Sequence, residues 1–191
     1  MQVKIGPNEE HPSVPCDISP LPTRYTHNRH MKIAKHFRWE AAHRLPWHKG
    51  LCRNLHGHSY HMTVELEGDS DEWGIVMDFK VLKHLVAPLV DRWDHAMLIA
   101  ESDEILHRVA EQTGWKHNLL PFDSTAENLS TFVAEYLAET HAETLLTHRV
   151  HTVRVRISET ESCYAEAELP VKAPDTSASS RHTLAEVTPG G

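Results

Sequence analysis

Alternation between apolar and polar positions opens the body of the chain. Ile33 to Ala42 alternates as a strand does, and His58 to Glu67 is a second strand with Tyr60, Met62, Val64 and Leu66 on one face. The period then lengthens. Asp78 is placed to cap a helix running to about Trp93, with Phe79, Leu82, Leu85 and Val86 at helical spacing and Pro88 predicting a break or kink. Ser102 to Gln112 is a weaker helical stretch. Ser124 or Thr125 opens a stronger one, with Glu127 at capping-box spacing from Ser124 and a stripe of Leu129, Phe132, Val133 and Leu137. Val150–Ile157 and Cys163–Leu169 alternate on either side of a turn at Glu161-Ser162, which makes a C-terminal hairpin. The pattern predicts an α+β fold: an antiparallel four-stranded sheet in ββ-αα-ββ order with helices packed on one face.

Outside that body the periodicity stops. Residues 1–30 hold five of the 11 prolines (Pro7, Pro12, Pro15, Pro20 and Pro22) and read as an extended extension. Residues 171–191 are rich in Ser, Thr, Ala and Pro and read as a loose tail. The expected organisation is therefore an extension over 1–30, one domain over 31–170 and a tail over 171–191. The net charge of −8 argues against general nucleic-acid or anionic-membrane binding, which calls for a basic surface. No apolar run is long enough to span a bilayer, and the first 30 residues show no apolar segment of the secretory kind. Cys16, Cys52 and Cys163 are odd in number and lack metal-type pairing, which suits reduced thiols in a cytoplasmic enzyme.

The chain has 17 histidines, so abundance alone carries no argument and spacing must. His56 and His58 lie one residue apart at the start of the second predicted strand and therefore share a face. If the first two strands pair antiparallel, His43 at the end of the first comes beside them. Three imidazoles are a minimum protein set for a catalytic zinc, with one coordination position left open. The alternative is three unrelated histidines in a histidine-rich protein. Cys52 stands four residues before His56, in a long loop over about 44–56. Spacing leaves it open as a proton-transferring thiol, as a fourth ligand closing a structural site, or as a small buried hydrophobe.

Six motifs then follow in order: Phe37-x-x-x-Ala41-Ala42-His43-Arg44-Leu45-Pro46; Cys52-x-x-x-His56-Gly57-His58-Ser59-Tyr60; Gly74-x-Val76-Met77-Asp78-Phe79-x-x-Leu82-Lys83; Asp94-His95-x-x-Leu98; Ser124-Thr125-x-Glu127-Asn128; and Glu159-Thr160. Over about residues 31–169 this resembles the 6-pyruvoyl-tetrahydropterin synthase family. The three residues between Cys52 and His56 look most like its bacterial 6-carboxy-tetrahydropterin synthase branch. The resemblance implies the tunnelling (T) fold and a homohexamer with active sites between subunits. It also implies Zn2+ held by His43, His56 and His58, and catalysis by Cys52 with Asp94 and His95.

It further implies pterin binding by Glu159, whose carboxylate matches paired N–H donors, with Ser124, Thr125 and Glu127 near the pterin. For the last three, helix capping is a competing role. The implied substrate is 7,8-dihydroneopterin triphosphate, converted to 6-carboxy-tetrahydropterin on the way to 7-deazaguanine compounds such as queuosine. The alternatives are triphosphate elimination of the 6-pyruvoyl kind, or a non-catalytic pterin- or purine-binding module stabilised by zinc. Lys35, Arg44, Lys49 and Arg53 are triphosphate candidates by location. One departure from the family pattern stands at Ile99, where an Asn is frequent.

Overall fold

A computed structural model describes residues 29–173 of the chain, so the extension and tail expected at its ends lie almost wholly outside the described residues. The two long strands of the first hairpin, β1 (His30–His43) and β2 (His56–Asp69), pair antiparallel along their whole length, from His30 opposite Asp69 to His43 opposite His56. The alternation read from the sequence sets the faces. Trp39 and Ala41 on β1, with Tyr60, Met62, Val64 and Leu66 on β2, point into the main core. The intervening positions carry charge and hydroxyls to solvent, which is the usual division for an antiparallel sheet covered on one side.

Helix α1 (Phe79–Trp93) starts at Asp78, whose carboxylate accepts from the Lys80 N–H, and buries Leu82, Val86, Leu89 and Trp93. It runs unbroken through Pro88. Pro88 and His84, whose carbonyl loses its helical partner, both lie on the exposed side, so water can satisfy that carbonyl. Next come β3 (Ala96–Ala100), α2 (Glu104–Thr113) and β4 (His117–Leu120). Helix α3 (Ala126–Glu135) continues through a π-helical turn, Tyr136–Thr140, into the short α4 (Ala142–Thr147). The predicted C-terminal hairpin is β5 (Val150–Thr160) and β6 (Cys163–Pro170).

The expected four-stranded antiparallel sheet is instead a six-stranded mixed one, in the order β4-β3-β1-β2-β5-β6. The two added strands are parallel, β3 to β1 and β4 to β3. Neither shows the alternation that marks a strand in sequence. All five residues of β3 are buried, because both of its faces are covered, and β4 has only four residues.

The helices are likewise not all on one face. Leu98 of β3 belongs to the main core under α1 and α3. Its neighbours Met97 and Ile99 form a second cluster with Leu106 and Ala110 of α2 and with Ala42. Helix α2 therefore covers the other side of the sheet. Ile99, the departure noted above, is a packing residue of that second cluster. No helix among the described residues is long and apolar enough to cross a membrane.

Candidate metal centre and active site

Antiparallel pairing puts His43 directly opposite His56, and Ala41 opposite His58, at the open end of the first hairpin. All three histidines lie on the core-facing side by parity. Their ring centroids stand 4.6, 5.2 and 4.9 Å apart, and one ligand nitrogen from each falls within 4.8 Å of the others. Two rings are already oriented. His43 Nδ1 donates to the Ser124 carbonyl at 2.8 Å, and His56 Nδ1 to the Asn54 carbonyl at 2.8 Å.

His43 is 1% exposed, and its Nε2 is buried with no hydrogen-bond partner among the described residues. Burial, reinforced by the other two imidazoles, pushes the His43 pKa down to about 4, and burial also lowers that of His58. A buried imidazole held neutral, with one nitrogen tied to a carbonyl and the other orphaned toward two more imidazoles, has the donor set and tautomer that a zinc ligand needs.

Cys52 sits on a single 3-10 turn, Leu51–Arg53, and is half-buried. Its carbonyl accepts from the Leu45 N–H at 2.8 Å, which ties the turn back to the end of β1. The thiol lies outside the three-imidazole group. Of the triphosphate candidates, Arg44 is committed elsewhere: it grips Asp103 through both carboxylate oxygens, and Asp103 in turn caps α2 through the Leu106 N–H. That pairing anchors the residue next to His43 and holds the Asp103 carboxyl below the usual carboxylate range.

Asp94 ends α1, and the chain turns at His95 with φ 55°, a left-handed conformation that non-glycine residues seldom adopt. Glu40 of β1 stabilises the turn from both sides. Its N–H donates to Asp94 Oδ1 at 3.0 Å and its carbonyl accepts from the His95 N–H at 2.7 Å. Asp94 Oδ2 then lies 3.0 Å from His95 Nδ1. Its pKa is held low, chiefly by the Glu40 N–H and then by His95.

Two residues that no motif or periodicity singled out complete this corner. Lys116 donates to the Asp91 and Asp94 carbonyls, and the Asn118 amide to that of Arg92, so β4 caps the C-terminus of α1. His95 lines a cavity of about 660 Å3 with Glu40, Ala42, Ser59, Met97 and Lys116. Several of these alternate away from the face that carries His43; of the three histidines, only His58 borders this cavity.

Glu159, near the end of β5, is half-buried. Burial raises its pKa, the charge of Glu127 adds to the shift, and His56 opposes it. Glu127 and Glu159 line a second, smaller cavity of about 120 Å3 with Cys163 and Tyr164. Thr125, not Ser124, is the N-cap of α3, accepting from the Asn128 N–H at 3.2 Å. Ser124 is buried beneath His43. Tyr60, named in sequence only for its place in the alternation and as the last residue of the second motif, has no role assigned there. Its ring meets those of His43 and His58 edge-on, and its hydroxyl is buried without a partner. Burial, and to a lesser degree the charge of Glu159, pushes its pKa up.

The chain matches the 6-pyruvoyl tetrahydropterin synthase family over residues 32–170. Among curated relatives, the 6-carboxy-5,6,7,8-tetrahydropterin synthase of Aquifex aeolicus is 34% identical over 156 residues, covering 71% of this chain and 96% of that protein. The protein of the same name from Haemophilus influenzae is 36% identical over 110 residues, covering 53% of this chain and 78% of its own. Among solved structures, the 6-pyruvoyl tetrahydropterin synthase of Plasmodium vivax aligns with a TM-score of 0.63 at 19% identity, over 75% of this chain and all of that one, which bears on the fold. The family match takes in all of the sheet but the first two residues of β1, together with every candidate site residue, and the chain belongs to the 6-pyruvoyl tetrahydropterin synthase family.

Proposed function

We propose that this chain is a zinc-dependent 6-carboxy-5,6,7,8-tetrahydropterin synthase. It takes 7,8-dihydroneopterin triphosphate to 6-carboxy-tetrahydropterin with release of acetaldehyde and triphosphate, in the biosynthesis of 7-deazaguanines such as queuosine. The observation that carries the reading is the three-imidazole group with its buried, unpartnered His43 Nε2. The 6-carboxy relatives and the three-residue spacing from Cys52 to His56 support the choice of product.

His43, His56 and His58 would hold the ion through neutral nitrogens. When bound, zinc supplies a Lewis acid that stabilises negative charge developing on a nearby oxygen. The chain's own groups do the rest. Cys52, as thiolate, exchanges a proton with the substrate side chain. Asp94 fixes His95 by its Nδ1, leaving Nε2 to carry a proton. Glu159 receives the paired N–H donors of the pterin edge, with Thr125 and Glu127 at the neighbouring helix start and Ser124 behind them. His95 opens into a cavity that, of the three imidazoles, only His58 borders, which supports active sites completed between copies in a homo-oligomer, a hexamer in this reading.

The test is to incubate zinc-loaded protein with 7,8-dihydroneopterin triphosphate and identify products by mass. Acetaldehyde with a carboxypterin is expected. A product that retains all side-chain carbons would reassign the chain to 6-pyruvoyl chemistry, and no turnover would leave a binding module.

A further inference from the structure

Ser124 is a polar residue in a place where polar residues are seldom left without work. It is 1% exposed, and it immediately precedes the cap of α3 without being the cap itself. Its carbonyl accepts from His43 Nδ1 at 2.8 Å, and its hydroxyl lies 3.3 Å from the same nitrogen. That hydroxyl donates to the Leu98 carbonyl at 3.2 Å. Leu98 is the β3 residue paired with His43 across the parallel ladder. One residue thus ties together the histidine, the strand beside it and the start of the helix above it. The hydroxyl's single proton goes to Leu98, so toward His43 it can only accept. Both of its oxygens therefore favour the tautomer with the proton on Nδ1 and the lone pair on Nε2, the nitrogen left buried and unpartnered.

We infer that Ser124 is a positioning residue for His43, fixing the tautomer and ring orientation in which His43 accepts a metal, and not a contact to the substrate. The inference rests on the zinc reading of the three histidines. The hydroxyl acts at one remove, by clamping the peptide whose carbonyl receives the Nδ1 proton. Removing it loosens the clamp without removing the carbonyl. Outer partners of metal-bound histidines typically change affinity by about 10- to 100-fold when lost, and a clamp of this kind belongs at the lower end.

The test uses the full chain. Ser124→Ala is compared with wild type for zinc affinity by chelator competition and for the visible spectrum of the cobalt-loaded protein. Thr125→Ala serves as a control that frays the start of α3 while sparing His43. Roughly tenfold weaker zinc binding and an altered cobalt spectrum in Ser124→Ala, with near wild-type values for Thr125→Ala, are expected. Equal losses in both variants would assign the effect to the helix end and overturn the inference. So would zinc affinity in Ser124→Ala within twofold of wild type.

A second measurement needs no variant. Ring-nitrogen NMR of the metal-free wild type is expected to find the His43 proton on Nδ1, and a proton on Nε2 would overturn the inference even if Ser124→Ala failed to fold. Wild type that binds neither zinc nor cobalt would defeat the zinc reading itself, while the tautomer measurement would still decide whether Ser124 orients His43.

Discussion

At the scale of single residues, the end of β1 concentrates the chemistry. His43 is a buried neutral imidazole whose free nitrogen faces two others, so on the zinc reading metal binding and folding are linked. At free zinc about a hundredfold above its dissociation constant, binding should stabilise the fold by about 2.7 kcal/mol. Thermal unfolding with and without a chelator measures this, and His43→Ala is expected to abolish the shift.

Its neighbour makes the next prediction. Arg44 depresses the pKa of Asp103, so this carboxylate contributes stability in full above its unfolded pKa of about 3.9, and the contribution is lost progressively as pH falls from there through the lower folded pKa. Asp103→Asn keeps a capping oxygen but removes the charge. It should cost about 1.5–3 kcal/mol at pH 7, and the gap should narrow as pH is lowered below the unfolded carboxylate pKa of about 3.9, as read by urea unfolding across that range. The three histidines could be read from sequence because strand alternation and hairpin pairing are both local rules. Ser124's place under His43, 81 residues away, could not, because it depends on how α3 docks.

Among the elements, those with strong periodicity were legible and those without it were not. The two hairpins, α1 and α3 announce themselves through alternation or a helical stripe. Strand β3 gives five consecutive buried residues, and a short apolar run of that kind does not distinguish strand from helix. That α2 covers the second face was equally hidden, since amphipathicity says which side of a helix is buried but not against which sheet surface.

The bulge between Glu67 and Gly68 is another feature set by packing. A Cβ on Gly68 would stand 2.4 Å from the Arg149 carbonyl oxygen and 2.8 Å from Val150 Cα, both backbone atoms that cannot swing aside. Gly68→Ala should therefore destabilise the β2–β5 pairing by roughly 1–3 kcal/mol, measurable by denaturant unfolding. A loss under about 0.5 kcal/mol would mean that the two strands yield there.

At the largest scale, the sheet ends in two strands, β4 and β6, each with a free edge among the described residues, and such edges commonly pair with another copy. The Asp94-His95 corner and the imidazole group, meanwhile, hang from β1 in different directions. On the shared-site reading, Cys52→Ala and His95→Ala chains, each inactive alone, regain part of the activity when unfolded and refolded together. No recovery over the separate variants would place all the groups of a site in one chain.

Strand β1 itself carries a consequence for how this sequence tolerates change. Within four residues it holds the Asp94-His95 turn through the Glu40 backbone and supplies the His43 imidazole, and the intervening pair keeps them on opposite parity. Inserting or deleting one residue between Glu40 and His43 would rotate the imidazole to the far side of the sheet while composition stayed nearly the same. Register within the strand, more than the identity of the two spacer residues, is what the site depends on here.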